Sequence, residues 1–414
     1  MCLAALCALP AVALTGCGTA QSPDDGAGRD GRAVQQLLDR RAAAVRERDE
    51  GAFLATVDRR SARYLAEQRR MFAHLSAVPV RSWTYRLVDT GGFDPALGGG
   101  RRLAARVELR YRLSGYDTAP VVADEYLTLA QRGGRWYVAS DDGEKDGRRT
   151  SVQLWDQGAV TAVRGEHSLV LGVGQDRRRL RELAAGADRA VAVLRKVWPH
   201  PWAGRVVVEV PASLERMAAL LGSSASGYRG IAAVTTGEAG GGRSAVADRV
   251  IVNPEAYQVL GDFGRRVVIT HETAHVATRA ATTAATPMWL SEGFADWTGY
   301  VGTGRAARDV APELAGSVAA GRLPDALPDD KAFRFGGDAD ALSQAYEEGW
   351  LACRLIAEKW GEGKLVEFYR AVGASPRREG AVESALREVL GTNLADFTGL
   401  WRKYVISQFD QGVR

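Results

Sequence analysis

The chain has 414 residues, of which 46% are hydrophobic and 25% are charged, so it is long enough to bury a sizeable core in two or three globular domains. Its net charge of +4 comes from 54 basic and 50 acidic residues that are dispersed along the sequence. Because no basic stretch is interleaved with aromatic residues, the sequence argues against nucleic acid as a partner.

The first 17 residues are apolar and uncharged, and they are too few to cross a bilayer as a permanent helix. They end in LTGC (residues 14–17), which resembles the lipobox of a bacterial lipoprotein signal peptide. The resemblance implies cleavage before Cys17, lipidation of its thiol and anchoring on the extracytoplasmic face of the cell membrane. The alternative is an ordinary secretory signal in which Cys17 has no role.

Residues 18–31 are small, polar and glycine-rich, and they predict a flexible tether. A first domain over 32–145 follows, with a helix from Ala33 to about Val57 and a second helix over Ala62–Leu75. Four strand-like segments complete it: Trp83–Val88, Leu103–Leu113, Val121–Leu129 and Arg135–Ala139. Two helices followed by a meander resemble the ketosteroid-isomerase-like cone, an α+β fold. No catalytic group stands out in this domain, so we expect a spacer or an interaction module.

Turn formers and charges over residues 141–151 predict a domain boundary, and the second domain is expected to span 151–414. An amphipathic pattern predicts a helix over Arg177–Val197. The following elements are predicted in order: a strand Val206–Val210, a short helix Ser213–Leu221, strands Gly230–Thr235 and Arg249–Asn253 joined by a glycine-rich loop (236–247), and helices from about Tyr257 onward. Cys353 lies in one of these apolar helical stretches and is expected to be a core residue.

The sequence His271-Glu272-Thr273-Ala274-His275 is an HExxH motif in a predicted helix over Gly264–Arg279. Two residues four positions apart lie on the same face of an α-helix, so both imidazoles can converge on one metal ion. Glu272 is rotated by about 100° from that face and can reach a water molecule rather than the ion. The alternative is a pair of histidines on an ordinary helix surface.

Thr286 and Pro287 predict the N-cap and the first residue of a new helix. That helix contains WLSEGFA (residues 289–295), which resembles the WLNEGFA block of the aminopeptidase N class of gluzincin metallopeptidases. The resemblance implies that Glu292 is the third zinc ligand and Glu272 the general base. It also implies a thermolysin-like catalytic domain, in which a small mixed sheet and the active-site helix precede a helical lobe.

Two further residues are assigned by resemblance. Asp296 follows Glu292 at the ExxxD spacing of thermolysin-like enzymes, which implies a hydrogen bond that orients His271; the alternative is a solvent-facing acid. The stretch YEEGWL (residues 346–351) resembles the YEKGAL stretch of aminopeptidase N relatives. It implies that Tyr346 stabilises the tetrahedral oxyanion, although Tyr346 also suits a core position.

The sequence therefore predicts zinc-dependent hydrolysis of extracytoplasmic peptides or proteins by a membrane-anchored lipoprotein. Residues 230–235 lack the glutamate with which aminopeptidases hold a free N-terminus, so an endopeptidase is expected. The alternative is a non-catalytic envelope lipoprotein that uses a peptidase-like fold for binding or scaffolding. An esterase or epoxide hydrolase would use the same motifs.

Overall fold

The computed structural model of the protein describes residues 23–141, 148–236 and 247–409. Within them the chain forms an α+β structure with two small sheets. The predicted signal peptide with Cys17, the start of the predicted tether and most of the predicted glycine-rich loop lie outside the described residues.

The N-terminal region (residues 23–141) packs helices against one face of an antiparallel four-stranded meander in the order β1-β2-β3-β4. Every second residue of β2 from Val107 to Leu113 is buried, as expected for a sheet with one covered face. Its elements are α1 (Pro23–Glu47), α2 (Glu50–Leu54), α3 (Ala62–His74), a 3-10 turn (Leu75–Ala77), β1 (Val80–Thr90), β2 (Arg102–Leu113), β3 (Val121–Arg132) and β4 (Arg135–Ser140).

The predicted single helix from Ala33 to Val57 is wrong at both ends. Helix α1 begins at Pro23, so residues 23–31 of the predicted tether are helical. It ends before Arg48, whose backbone φ of 59° lies in the left-handed region. Asp49 then accepts a hydrogen bond from the backbone N–H of Ala52 at 2.8 Å and caps α2, the role for which a short acidic side chain is favoured.

The C-terminal region (residues 148–409) begins with a mixed five-stranded sheet in the order β5-β6-β7-β9-β8. Neighbours β6, β7 and β9 run parallel, whereas β5 and β8 are antiparallel edge strands. All residues of β6 and β7 are buried, since both faces of the sheet are covered. The strands are β5 (Val160–Arg164), β6 (Ser168–Val173), β7 (Val206–Val210), β8 (Ala233–Thr235) and β9 (Val250–Val252).

Helices make up most of the remaining C-terminal region, and the bounds predicted for α5 are confirmed. Within the three described stretches, no helix combines the length and the apolar composition that crossing a bilayer requires. The helices are α4 (Leu154–Gln157), α5 (Arg177–Val197), α6 (Leu214–Leu220), α7 (Pro254–Val259), α8 (Asp262–Thr278), α9 (Met288–Tyr300), α10 (Ala307–Val310), α11 (Pro312–Ala319), α12 (Ala339–Trp360), α13 (Glu362–Ala374), α14 (Ala381–Ala385) and α15 (Leu394–Phe409). Short 3-10 turns lie at Ala225–Tyr228, Arg279–Ala281 and Asp330–Phe333, and a π-helical turn at Leu386–Leu390.

The N- and C-terminal regions share one hydrophobic core. Trp155, on the unpredicted helix α4, is buried against Trp83 and Tyr111, with ring centroids 5.5 and 5.1 Å apart. The same cluster continues into Leu169 and Leu171 of β6, so the second sheet closes the core of the N-terminal region. The two regions are therefore packed as one body at this contact, although their predicted boundary partly lies outside the described residues.

The helical lobe has its own core around α9, α12 and α13, in which the predicted core residue Cys353 is fully buried. Helices α9 and α12 approach closely through two glycines. A Cβ atom on Gly293 would lie 2.2 Å from the carbonyl oxygen of Gly349, and one on Gly349 would lie 2.7 Å from that of Trp289. This contact fixes the distance between α12 and the end of α9 that carries Glu292.

We expect Gly293→Ala to lower the free energy of unfolding by about 1–3 kcal/mol, since the added methyl group overpacks the α9–α12 contact. Gly399→Ala is the control, because Gly399 lies mid-helix on α15 with open space around its Cβ position. That change should raise stability by about 0.5–1 kcal/mol. Urea unfolding measures both values, and equal effects would contradict the close approach.

Candidate metal centre

Helices α8 and α9 bring three ligand atoms together. The Nε2 atoms of His271 and His275, one turn apart on α8, lie 3.0 Å from each other. Oε2 of Glu292 on α9 lies 3.3 Å from the first nitrogen and 3.4 Å from the second. All three side chains are largely buried, and their ligand atoms are close enough to hold one metal ion.

The start of α9 differs from the prediction by one residue. Pro287 occupies the N-cap position and the helix begins at Met288. The hydroxyl of Thr286, which was predicted to cap this helix, instead accepts a hydrogen bond from the backbone N–H of Thr283 at 3.1 Å. The first N–H of the helix is bonded by a residue far away in sequence, because Asp330 accepts a hydrogen bond from Met288 N at 2.9 Å. The structure therefore holds the Glu292 helix to the segment that precedes α12.

Asp296 contacts His271 as the ExxxD spacing implies. Its Oδ1 lies 2.8 Å from Nδ1 of His271, one helical turn beyond Glu292. A proton on Nδ1 donates to this carboxylate, which leaves the lone pair of Nε2 directed toward the other two ligand atoms. The aspartate side chain is only 18% exposed, so it is not the solvent-facing acid of the alternative interpretation.

The electrostatics of the cluster favour a cation. Burial lowers the pKa of His271, but the carboxylates of Asp296, Glu292 and Glu272 outweigh it and hold the pKa well above its usual value. For Glu292 the signs are reversed. Burial raises the pKa of its carboxyl group, but His275 and His271 outweigh this effect and lower the pKa to about 2. Three carboxylates thus surround two imidazoles in a buried site, a charge distribution that a metal ion would neutralise.

Glu272 lies outside the set of ligand atoms. Its side chain is 5% exposed, and its Oε2 accepts a hydrogen bond of 2.6 Å from the hydroxyl of Thr235 on the edge strand β8. The same hydroxyl lies 3.2 Å from the backbone oxygen of Glu272. Thr235 was not identified from the sequence as a site residue, and it fixes the direction in which the Glu272 carboxylate points.

Tyr346 lies beside the ligand cluster and is only partly buried. Its ring centroid is 6.3 Å from that of His271 and 5.2 Å from that of Phe333. The tyrosine is carried by α12, one turn before Gly349, so the close contact between α9 and α12 sets its distance from Glu292. The structure therefore brings all six predicted site residues of the C-terminal region together, and Phe333 joins them without any signal in the sequence.

We expect Asp296→Asn to weaken metal binding by about 10- to 100-fold, since the hydrogen bond that orients His271 loses its charge. Asp262→Asn is the matched control, because Asp262 is fully exposed at the start of the same helix as His271. Competition with a chelator measures both affinities. Equal affinities in the Asp296 variant and the parent would show that Asp296 does not act on the metal centre.

A scan against models of known protein families finds no match for this chain, and a search of curated proteins finds none either. The chemistry of the site is therefore inferred from its own residues. Their geometry supports a metal ion held by His271, His275 and Glu292, with Glu272 and Tyr346 beside it.

Proposed function

We propose that the protein is a zinc-dependent peptidase of the gluzincin type that cleaves peptides or proteins outside the cytoplasm. The observation that carries this proposal is that the two glutamates make different contacts. Oε2 of Glu292 lies within 3.4 Å of both imidazole Nε2 atoms, whereas Oε2 of Glu272 accepts a hydrogen bond from Thr235 and Glu272 is outside the ligand cluster. A site that only stores a metal needs no such second carboxylate, but a hydrolytic site needs a base that is not a ligand.

Zinc is the ion that the ligand set fits best. Two neutral imidazoles and one carboxylate are a common catalytic zinc set, which leaves a fourth position open. Ligands about 2.0–2.1 Å from a tetrahedral ion lie about 3.3 Å from one another. The three separations in the structure, 3.0, 3.3 and 3.4 Å, match that requirement without movement of the helices.

The reaction assigns separate tasks to the residues around the ligands. A zinc ion, when bound, polarises a carbonyl group as a Lewis acid and lowers the pKa of a water molecule toward about 7. Glu272 accepts the proton of the attacking water molecule and returns it to the amine nitrogen as the peptide bond breaks. The hydrogen bond from the Thr235 hydroxyl to Oε2 orients the Glu272 carboxylate that takes the proton.

Tyr346 is the proposed donor to the oxyanion. Its ring centroid lies 6.3 Å from that of His271, and we propose that its hydroxyl donates a hydrogen bond to charge that develops at the site. Donors of this kind contribute about 3 kcal/mol to the stability of a transition state. The contact with Phe333 orders the ring and is compatible with that role.

We further propose a thermolysin-like fold for the C-terminal region and a ketosteroid-isomerase-like cone for the N-terminal region. The mixed sheet, the HExxH helix and the helical lobe occur in the order that a thermolysin-like domain requires. Helices packed on a four-stranded meander suit a ketosteroid-isomerase-like cone.

Strand β8 is an edge strand beside α8, so a substrate can add to it by backbone hydrogen bonds. Its residues carry no carboxylate for a free N-terminus, which supports endopeptidase action. The lipid anchor at Cys17 stays a prediction.

We expect Glu272→Gln to keep zinc content and fold but to remove nearly all hydrolysis of a mixed peptide library, because glutamine cannot accept the proton of the water molecule.

We expect Tyr346→Phe to lower kcat by about 100- to 1,000-fold with little change in KM, because it removes one transition-state donor. Zinc analysis, circular dichroism and peptide cleavage read by mass spectrometry measure these effects.

Phe333→Leu is the control for Tyr346→Phe, since it disturbs the same ring contact without removing a hydroxyl. Equal losses in both variants would make Tyr346 a packing residue. Zinc-loaded parent protein that cleaves no peptide in the library would favour the binding or scaffolding alternative.

A further inference from the structure

We propose that the N-terminal region is a working part of the peptidase site, because its Asp117 holds Arg249 and thereby the strand that positions Glu272. The inference rests on the proposed function and assigns a role to a region in which the sequence predicts a spacer or an interaction module. It makes Asp117 and Arg249 positioning residues, since neither belongs to the ligand cluster. A continuous series of hydrogen bonds connects Asp117 of the N-terminal region to Glu272 of the C-terminal region.

The first contact is a buried, two-pronged ion pair between the regions. Nη1 and Nη2 of Arg249 donate to Oδ1 and Oδ2 of Asp117, each at 2.8 Å. The side chains are 5% and 2% exposed, so the pair is shielded from water and salt. Oδ2 of Asp117 also accepts a hydrogen bond from the backbone N–H of Leu113 at 2.6 Å, which fixes the aspartate to the end of β2.

Arg249 in turn fixes the end of strand β8. Its backbone N–H donates to the hydroxyl of Thr236 at 2.8 Å, and its carbonyl oxygen accepts from the backbone N–H of Thr236 at 2.8 Å. The next pair in the ladder is Val250 with Thr235, the residue that donates to Glu272. A shift of Arg249 would therefore move the Thr235 hydroxyl relative to the carboxylate it orients.

Strands β8 and β9 form an antiparallel hairpin, and we call Thr236, Asp248 and Arg249 its hairpin end. A second contact connects this hairpin end to the metal-binding helix. Arg279, at the end of α8, donates from Nε to both carboxylate oxygens of Asp248 at 3.0 Å. Its Nη2 donates to the carbonyl oxygen of Thr236, also at 3.0 Å. The Asp248 side chain is only 8% exposed, so this end of the hairpin is removed from water. Burial raises the pKa of Asp248, and Arg279 opposes the change.

The hairpin end is thus held by Asp117 of the N-terminal region and by Arg279, which directly follows the helix that carries both histidines. Glu209 of β7 also lies 3.6 Å from Nε of Arg249, and the Tyr111 ring faces the same guanidinium at 5.8 Å. Among the hydrogen bonds, the hold by Asp117 is the one that depends on how the two regions are packed. Its loss should leave the ligand cluster intact, since that cluster is built from α8 and α9. It should instead loosen β8 and the orientation of Glu272.

A purely stabilising ion pair is the competing explanation, and the chain offers a matched control for it. Asp58 pairs with Arg132 at 2.7 Å within the N-terminal region, and its side chain is 3% exposed. Removing one partner of a buried pair destabilises a protein wherever the pair lies. Both aspartate side chains are nearly fully buried, whereas Arg132 is 19% exposed and Arg249 is 5% exposed. Arg249, unlike Arg132, lies next to the strand pair that holds Thr235.

The experiment compares Asp117→Asn with Asp58→Asn in the full-length, zinc-loaded protein. We expect Asp117→Asn to lower kcat by about 10- to 100-fold at unchanged zinc content, the size expected for a misplaced catalytic group. Hydrogen exchange of the backbone amides at residues 233–236 and 249–252 should become faster. Asp58→Asn should lower the unfolding temperature. It should leave unchanged both kcat, measured well below that temperature, and the exchange rates of these amides.

If Asp117→Asn does not fold, Arg249→Lys and Arg132→Lys form the second pair of variants, because lysine keeps the positive charge of each arginine. Arg249→Lys also loses the two-pronged contact with Asp117, whereas Arg132 binds Asp58 through one nitrogen only. Equal effects of the two paired variants on kcat and on these amides would overturn the proposal. Should the parent protein cleave no peptide, the proposed function fails, while amide exchange still decides whether Asp117 controls the β8–β9 hairpin.

Discussion

The packing of helix α8 against helix α9 is the constraint on which the rest of the site depends. It places Oε2 of Glu292 within 3.4 Å of two imidazole nitrogens and Asp296 against the first imidazole. Such a concentration of carboxylates and imidazoles in a buried site is costly unless a cation neutralises it. A metal ion would therefore stabilise the α8–α9 contact as well as supply chemistry.

Close contacts position the remaining residues of the site relative to these two helices. The glycine contact between α9 and α12 brings Tyr346 beside His271. The hydroxyl of Thr235 on the edge strand β8 donates a hydrogen bond to the Glu272 carboxylate. The proposed ligands, base and oxyanion donor thus come from three helices, α8, α9 and α12, and Thr235 on β8 binds the proposed base. Packing rather than loops sets the positions of these elements, which suits a preorganised site.

Local patterns in the sequence allowed part of this arrangement to be predicted. The spacing of His271 and His275 follows from the period of a helix, and the apolar stripe of α5 was sufficient to place its ends. The placement of Glu292 and Asp296 was predicted from resemblance and agrees with the distances found, whereas their roles stay predictions.

The residues that sequence reasoning missed depend on tertiary structure. Thr235 meets Glu272 only because β8 lies at the sheet edge beside α8, and no local pattern shows the order of strands in a sheet. The pairing of Asp117 with Arg249 joins residues that are far apart in sequence. Trp155 lies on α4, a helix that was not predicted, and it enters the core of the N-terminal region. Long-range packing, rather than propensity, decided each of these positions.

We propose that His271, His275 and Glu292 hold one catalytic zinc ion that Glu272 does not touch. A crystal structure of the zinc-loaded protein, with anomalous diffraction recorded on both sides of the zinc absorption edge, is the decisive measurement. We expect one peak about 2.0–2.2 Å from each of the three ligand atoms, with Glu272 outside the coordination sphere. A zinc ion bound elsewhere, or one ligated by Glu272, would contradict it.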